Sequence, residues 1–129
     1  MKQREQALLF IRKAAEDETL LAEVVSAVKI SNEIYGFHGQ QAAEKLLKAL
    51  LSEYCIPFPR THNLRLLMDL LADAGHPLPS PLADLDVLTA YGTLFRYEDI
   101  PLETQFDRNA ILALIRELRS HVEKQISAR

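Results

Sequence analysis

Apolar positions recur at steps of three and four along the whole chain, and no stretch alternates in the manner of a strand. From Gln3 to Val28, the residues Ala7, Ile11, Ala14, Leu21, Val25 and Val28 draw one stripe, the mark of an amphipathic helix. Glu18 interrupts that stripe, and "EDET" around it reads as a bend. A second helix is expected from Ser31 or Asn32, both good N-cap types, to about Tyr54. "IPFPR" stops it, because each proline removes a donor and disfavours helix in the residue before it. Thr61 and Asn63 offer caps for a third helix, whose Leu64, Leu67, Met68 and Leu71 share a face, and Gly75 before His76-Pro77 ends it. Ser80 as N-cap and Pro81 at the first helical position open a fourth, with Leu82, Leu85, Leu88, Gly92 and Phe95 inward. Thr104 to Asp107 resembles a capping box with Asp in place of Glu. It leads into a last helix carrying Ile111, Leu114, Ile115, Leu118, Val122 and Ile126 at core spacing. The pattern predicts an all-α fold, an up-and-down antiparallel bundle of four to five helices, as one domain over residues 1–129.

The second helix holds the densest chemistry. At about 100° per residue, His38, Gln41, Lys45, Lys48 and Ser52 fall within an arc of roughly 80°. Ala42, Ala43, Leu46, Leu47, Leu50 and Tyr54 occupy a much wider opposing arc, so this helix should be central and touch several neighbours. Gln40 projects among the apolar residues and must find partners across the bundle or across a dimer interface. The polar stripe has two readings. It is a solvated face, with Glu44 and Lys48 as an i,i+4 pair, or it lines a site.

Composition narrows the classes. A chain of 129 residues with 48% hydrophobic residues can bury one core. A net charge of −3 and a pI near 5.8 argue against a dedicated basic nucleic-acid binder, though not against a local basic patch. The single cysteine, Cys55, excludes an intrachain disulfide and fits a reducing cytoplasm; following the apolar end of the second helix, it reads as a packing residue. The first apolar run is too short and too charged for a signal peptide, and nothing approaches a membrane span, so a soluble cytoplasmic protein is expected. The glycines at 36, 39, 75 and 92 are too scattered for a phosphate loop. Gly36 and Gly39 flank His38 and allow a backbone or ligand close to the helix, while Gly92 suits helix–helix approach. No metal motif is present and no cofactor is implied; His76, before Pro77, reads as a surface turn residue.

"FHGQQAAEKLLKALL", then "FPRTHNL", then "LTAYGTLFRY" closely resemble the HEPN domain family, named for nucleotide binding in higher eukaryotes and prokaryotes. The family block F-H-x-Q-Q-A-x-E-K-x-x-K-A is matched by Phe37, His38, Gln40, Gln41, Ala42, Glu44, Lys45, Lys48 and Ala49. Its T-H-x-L segment is matched by Thr61, His62 and Leu64, and part of its R-Y-P by Arg96 and Tyr97. The resemblance implies a helical bundle, usually a homodimer. It also implies a small nucleotidyltransferase as partner, in a two-component arrangement like toxin–antitoxin systems, and a nucleotide or RNA segment as ligand.

Many members of that family are metal-independent ribonucleases with an Arg followed four to six residues later by a His. There the His moves protons at the ribose hydroxyl and the Arg holds the phosphate as charge builds. In this chain Arg96 stands in "RYEDIPLE", where no His follows at that distance, and Glu98 replaces the Pro after Tyr97. Arg116 and His121 repeat the spacing elsewhere, but five residues on a helix place side chains about 140° apart. The resemblance thus implies a binding subunit without ribonuclease activity, with His38, Gln41, Lys45, Lys48, His62, Arg96 and Tyr97 toward the ligand. Two alternatives stay open: a ribonuclease toxin using Arg96 with His38 or His62, or Arg116 with His121, and a dimeric interaction bundle with no ligand. Each residue also has a plainer reading. His38 bonds a neighbouring helix, His62 caps or packs at a helix start, and Arg96-Tyr97 finish a helix end. The cations placed to meet a phosphate are Lys45, Lys48, Arg60, Arg65 and Arg96.

Overall fold

Among the described residues four α-helices and two 3-10 segments follow one another: α1 (Lys2–Glu23), α2 (Asn32–Glu53), α3 (Leu64–Asp73), Ser80–Leu82, Leu85–Tyr91, and α4 (Arg108–Ser127). The computed structural model describes residues 2–92 and 106–129. Over these residues the chain is an all-α helical bundle, as its periodicity predicts.

The caps explain most of the boundaries. Ser31 Oγ accepts from the Ile34 amide at 3.1 Å, and Asn63 Oδ1 accepts from the Leu66 amide at 3.2 Å, so α2 and α3 begin where their N-cap residues place them. Both helices end in paired carbonyl bonds around a left-handed residue. Gly75, with φ of 86°, closes α3, and Cys55, with φ of 58°, closes α2. That position turns Cys55 outward, so it is exposed rather than packed.

Expectations about three elements change. The first helix stops at Glu23, five residues short of Val28, which is 95% exposed. It runs uninterrupted through "EDET", and Glu18 there accepts from Arg119 Nε at 2.7 Å. The region from Ser80 forms two 3-10 segments instead of an α-helix, and Pro79, not Ser80, sits at the first N-cap without a side-chain bond. Asp107 is itself the N-cap of α4, accepting from the Ala110 amide, in place of the third residue of a box opened by Thr104. Thr104 and Phe95 lie outside the described residues.

Helix α2 is the hub, as its wide apolar arc requires. Arg4 meets Glu53, Gln6 meets Ser52, Asp17 meets Lys45, and the Leu21 carbonyl meets Tyr35, so α1 packs antiparallel along its whole length. Helix α4 runs in the same sense as α2: the Tyr35 hydroxyl reaches the Arg108 carbonyl and the Tyr54 hydroxyl reaches Gln125. The irregular segment after Tyr54 carries the chain back to the middle of α2, where Gln40 donates to the His62 carbonyl. From there α3 descends until the His76 ring stacks on Tyr54 at 3.9 Å. Leucines fill the space between, among them Leu46, Leu47, Leu50, Leu64, Leu71, Leu85 and Leu118. A Cβ added at Gly36 would stand 2.6 Å from the Tyr91 ring, so the close approach that glycine permits is used by an aromatic side chain.

Candidate functional site

The polar stripe of α2 is not a solvated face. Its members are half-buried or buried, and His38, Lys45 and Lys48 among them divide between two buried carboxylates, Asp17 from α1 and Glu44 from α2 itself. Asp17 Oδ1 receives His38 Nδ1 at 3.2 Å, and its Oδ2 receives Lys45 Nζ at 2.6 Å. Glu44 Oε1 receives Gln40 Nε2 at 3.0 Å and His62 Nδ1 at 2.8 Å, while Oε2 receives Lys48 Nζ at 2.8 Å. Gln40 is fully buried and spends its remaining capacity on the His62 carbonyl and the Gln41 amide. The expected cross-bundle partner of Gln40 is therefore the loop that opens α3. Ser52, at the far end of the stripe, donates to Gln6.

Burial alone would push the Glu44 carboxyl up. The hydrogen bonds from Lys48, His62 and Gln40 outweigh it and hold the group below the usual carboxylate range. A third carboxylate, Glu53, is held low first by the two hydrogen bonds from Arg4, against the opposing effect of burial, with Arg129 adding to them.

Lys45 and Lys48 thus already face carboxylates, and so does Arg65, which pairs with Asp69 and Asp86. His38 and His62 belong to different clusters, each with Nδ1 turned toward its carboxylate and Nε2 without a partner among the described residues. The His62 side chain is 59% exposed, against 29% for His38. Arg116 and His121 lie on the uninterrupted α4, where Arg116 turns to Glu18 and His121 is half-buried, its pKa lowered by burial and then by Lys124. Arg96 and Tyr97 lie outside the described residues. Among the described residues no three His, Cys, Asp or Glu side chains are grouped to hold a metal ion, and no helix is long and apolar enough to cross a membrane.

Two participants escaped the sequence reading. Asp17 is buried at the edge of the stripe, beside the Glu18 that interrupts it, and the pattern drew attention to the neighbour instead. Arg108 donates to the carbonyls of Val24, Ala27 and Ile30 and to Asn32 Oδ1, and its guanidinium lies 5.0 Å from the centre of the Tyr35 ring. It locks the turn between α1 and α2 from more than seventy residues away, which no local pattern announces.

A family model for the HEPN domain matches residues 8–125. The chain belongs to the HEPN family. The helical bundle is accordingly a domain of a nucleotide- or RNA-related kind. No curated protein and no solved structure matches it. In this HEPN domain the family block is also the internal frame: Glu44, Lys45 and Lys48 tie α2 to itself, to α1 and to the start of α3.

Proposed function

We propose that this HEPN domain is a binding subunit, one that takes a nucleotide or RNA segment in a cleft between two copies of the chain and does not itself cleave RNA. It works beside a small nucleotidyltransferase, as one half of a toxin–antitoxin-like pair. The ligand is met by the outward nitrogens of His38 and His62 with Gln41, Arg96 and Tyr97, while Lys45 and Lys48 hold the carboxylates beneath. The observation that carries this reading is the state of the ribonuclease candidates. Both α2-side histidines are bonded to carboxylates in separate clusters, and Arg116 is directed to Glu18. No His follows Arg96 at the ribonuclease spacing.

A second reading, a dimeric interaction bundle without ligand, is favoured by the completeness of the internal pairing: among the described residues no buried side-chain polar atom lacks a partner. Thermal unfolding with and without mononucleotides and single-stranded RNA separates the two. A ligand at 100 times its dissociation constant adds about 2.7 kcal/mol of stability. A flat response to every nucleotide and RNA leaves the interaction bundle.

A further inference from the structure

The turn between α1 and α2 encloses a cavity of about 220 Å³. Its walls are Leu20, Leu21, Val24, Ile30 and Ile34, with Tyr35 and His38 completing the lining. The Tyr35 hydroxyl is already spent on the carbonyls of Leu21 and Arg108. His38 is therefore the polar side chain the lining offers a ligand. Its Nδ1 is held by Asp17, whose other oxygen is held by Lys45, so the ring is fixed from behind, and among the described residues Nε2 has no partner.

The enclosure is built in advance. Arg108 gathers the carbonyls of Val24, Ala27 and Ile30, and so fixes the turn that supplies two of the walls. Little ordering is left to be done when a ligand enters. Size narrows what that ligand is. A dry cavity of roughly 150 Å³ accepts one benzene ring, and pockets for whole drug-sized molecules begin near 300 Å³. A cavity of about 220 Å³ lies between, with space for one heteroaromatic ring system and none for a sugar and phosphate besides. An aliphatic chain would fill the same walls but give the imidazole nitrogen no partner, whereas a base meets it with one edge group and turns its other polar atoms toward the open side, where Leu20 and Ile34 are 37% and 42% exposed.

We propose that this cavity is a nucleobase pocket, in which a single base lies against the aliphatic walls, His38 Nε2 bonds its edge, and the ribose and phosphate stay outside. The inference rests on the nucleotide- or RNA-binding reading above and gives that reading a place in the fold. The base comes from a free nucleotide or from an unpaired position of RNA.

Methyl-labelled NMR spectra of the full chain test it, titrated with AMP, with GMP and with a single-stranded oligoribonucleotide. The methyls of Leu20, Leu21, Val24, Ile30 and Ile34 shift on addition of at least one of these. A response to mononucleotides identifies a free nucleotide, and a response to the oligomer alone identifies an RNA base. Ile34→Phe fills the cavity from a position that is 42% exposed and so tolerates a larger ring. It and His38→Gln each weaken binding about tenfold or more, with unfolding midpoints confirming that both variants are folded. Binding that persists at full strength in Ile34→Phe, with the cavity methyls unmoved in the unsubstituted chain, overturns the pocket and leaves the binding reading standing. Absence of any binding by the unsubstituted chain overturns both.

Discussion

Two carboxylates serve α2 in the same chemical way and in different physical circumstances. Asp17 and Glu44 each collect one histidine and one lysine, and in both the imidazole offers Nδ1 inward and Nε2 outward. Around Asp17 the partners are near the surface, with Lys45 28% exposed and His38 similar. Around Glu44 the histidine is the more exposed, at 59%, but the lysine is almost covered, at 13%, and a fully buried glutamine adds a further bond. The Asp17 cluster bonds between two long helices already packed along their length. The Glu44 cluster fixes a loop, since His62 and its carbonyl are the points at which the chain returns to α2. One cluster adds to a contact between helices packed along their length, and the other ties the returning loop to α2.

The largest expected difference is in stability. Glu44→Ala strands a nearly buried ammonium and a buried amide and lowers stability by about 3–5 kcal/mol. Asp17→Ala costs about 1–2 kcal/mol, because its partners turn to water. Urea unfolding of the two variants measures this directly, and equal losses would erase the distinction between the clusters.

Acid titration sharpens it next. The folded pKa of Glu44 lies below the ordinary 4.5, so its contribution is fully present above about that pH. That contribution is lost as pH falls through the lower folded value. Glu44→Gln should therefore flatten part of the acid limb of the stability curve. Glu53, also held low, keeps the remainder in both proteins.

Gly92 lies against the second cluster. A Cβ there would stand 3.3 Å from His62 Cβ and 3.6 Å from Gln40 Cδ, with the Thr89 carbonyl at 3.1 Å. Gly92→Ala should cost about 1 kcal/mol and shift the His62 ring resonances while leaving those of His38 in place. Lys45→Met is the mildest change, at most about 1 kcal/mol, since its ion pair is partly screened.

The sequence was most legible where the physics is local. Ser31 and Asn63 act within three residues of themselves, and both helix starts were readable from them. The central place of α2 followed from its apolar arc, and the buried Gln40 from its position within that arc. The end of α1 was misread because Val25 and Val28 keep the helical step, while the turn is held by Arg108 from the far end of the chain. The stripe from His38 to Ser52 was visible as a stripe, yet its division between two carboxylates depends on Asp17 from another helix and on the return of His62. The region from Ser80 kept inward leucines at 82, 85 and 88, a spacing of three that a 3-10 turn satisfies as well as an α-helix does.

The most direct test of the account is incubation of the purified protein with labelled single-stranded RNA and a mixed tRNA pool in the presence of a chelator, with Arg96→Ala and His121→Ala alongside. The account predicts intact RNA at background rates in all three samples, together with ligand-dependent stabilisation of the unsubstituted protein. Cleavage that disappears in either variant would contradict it and make this HEPN domain a ribonuclease.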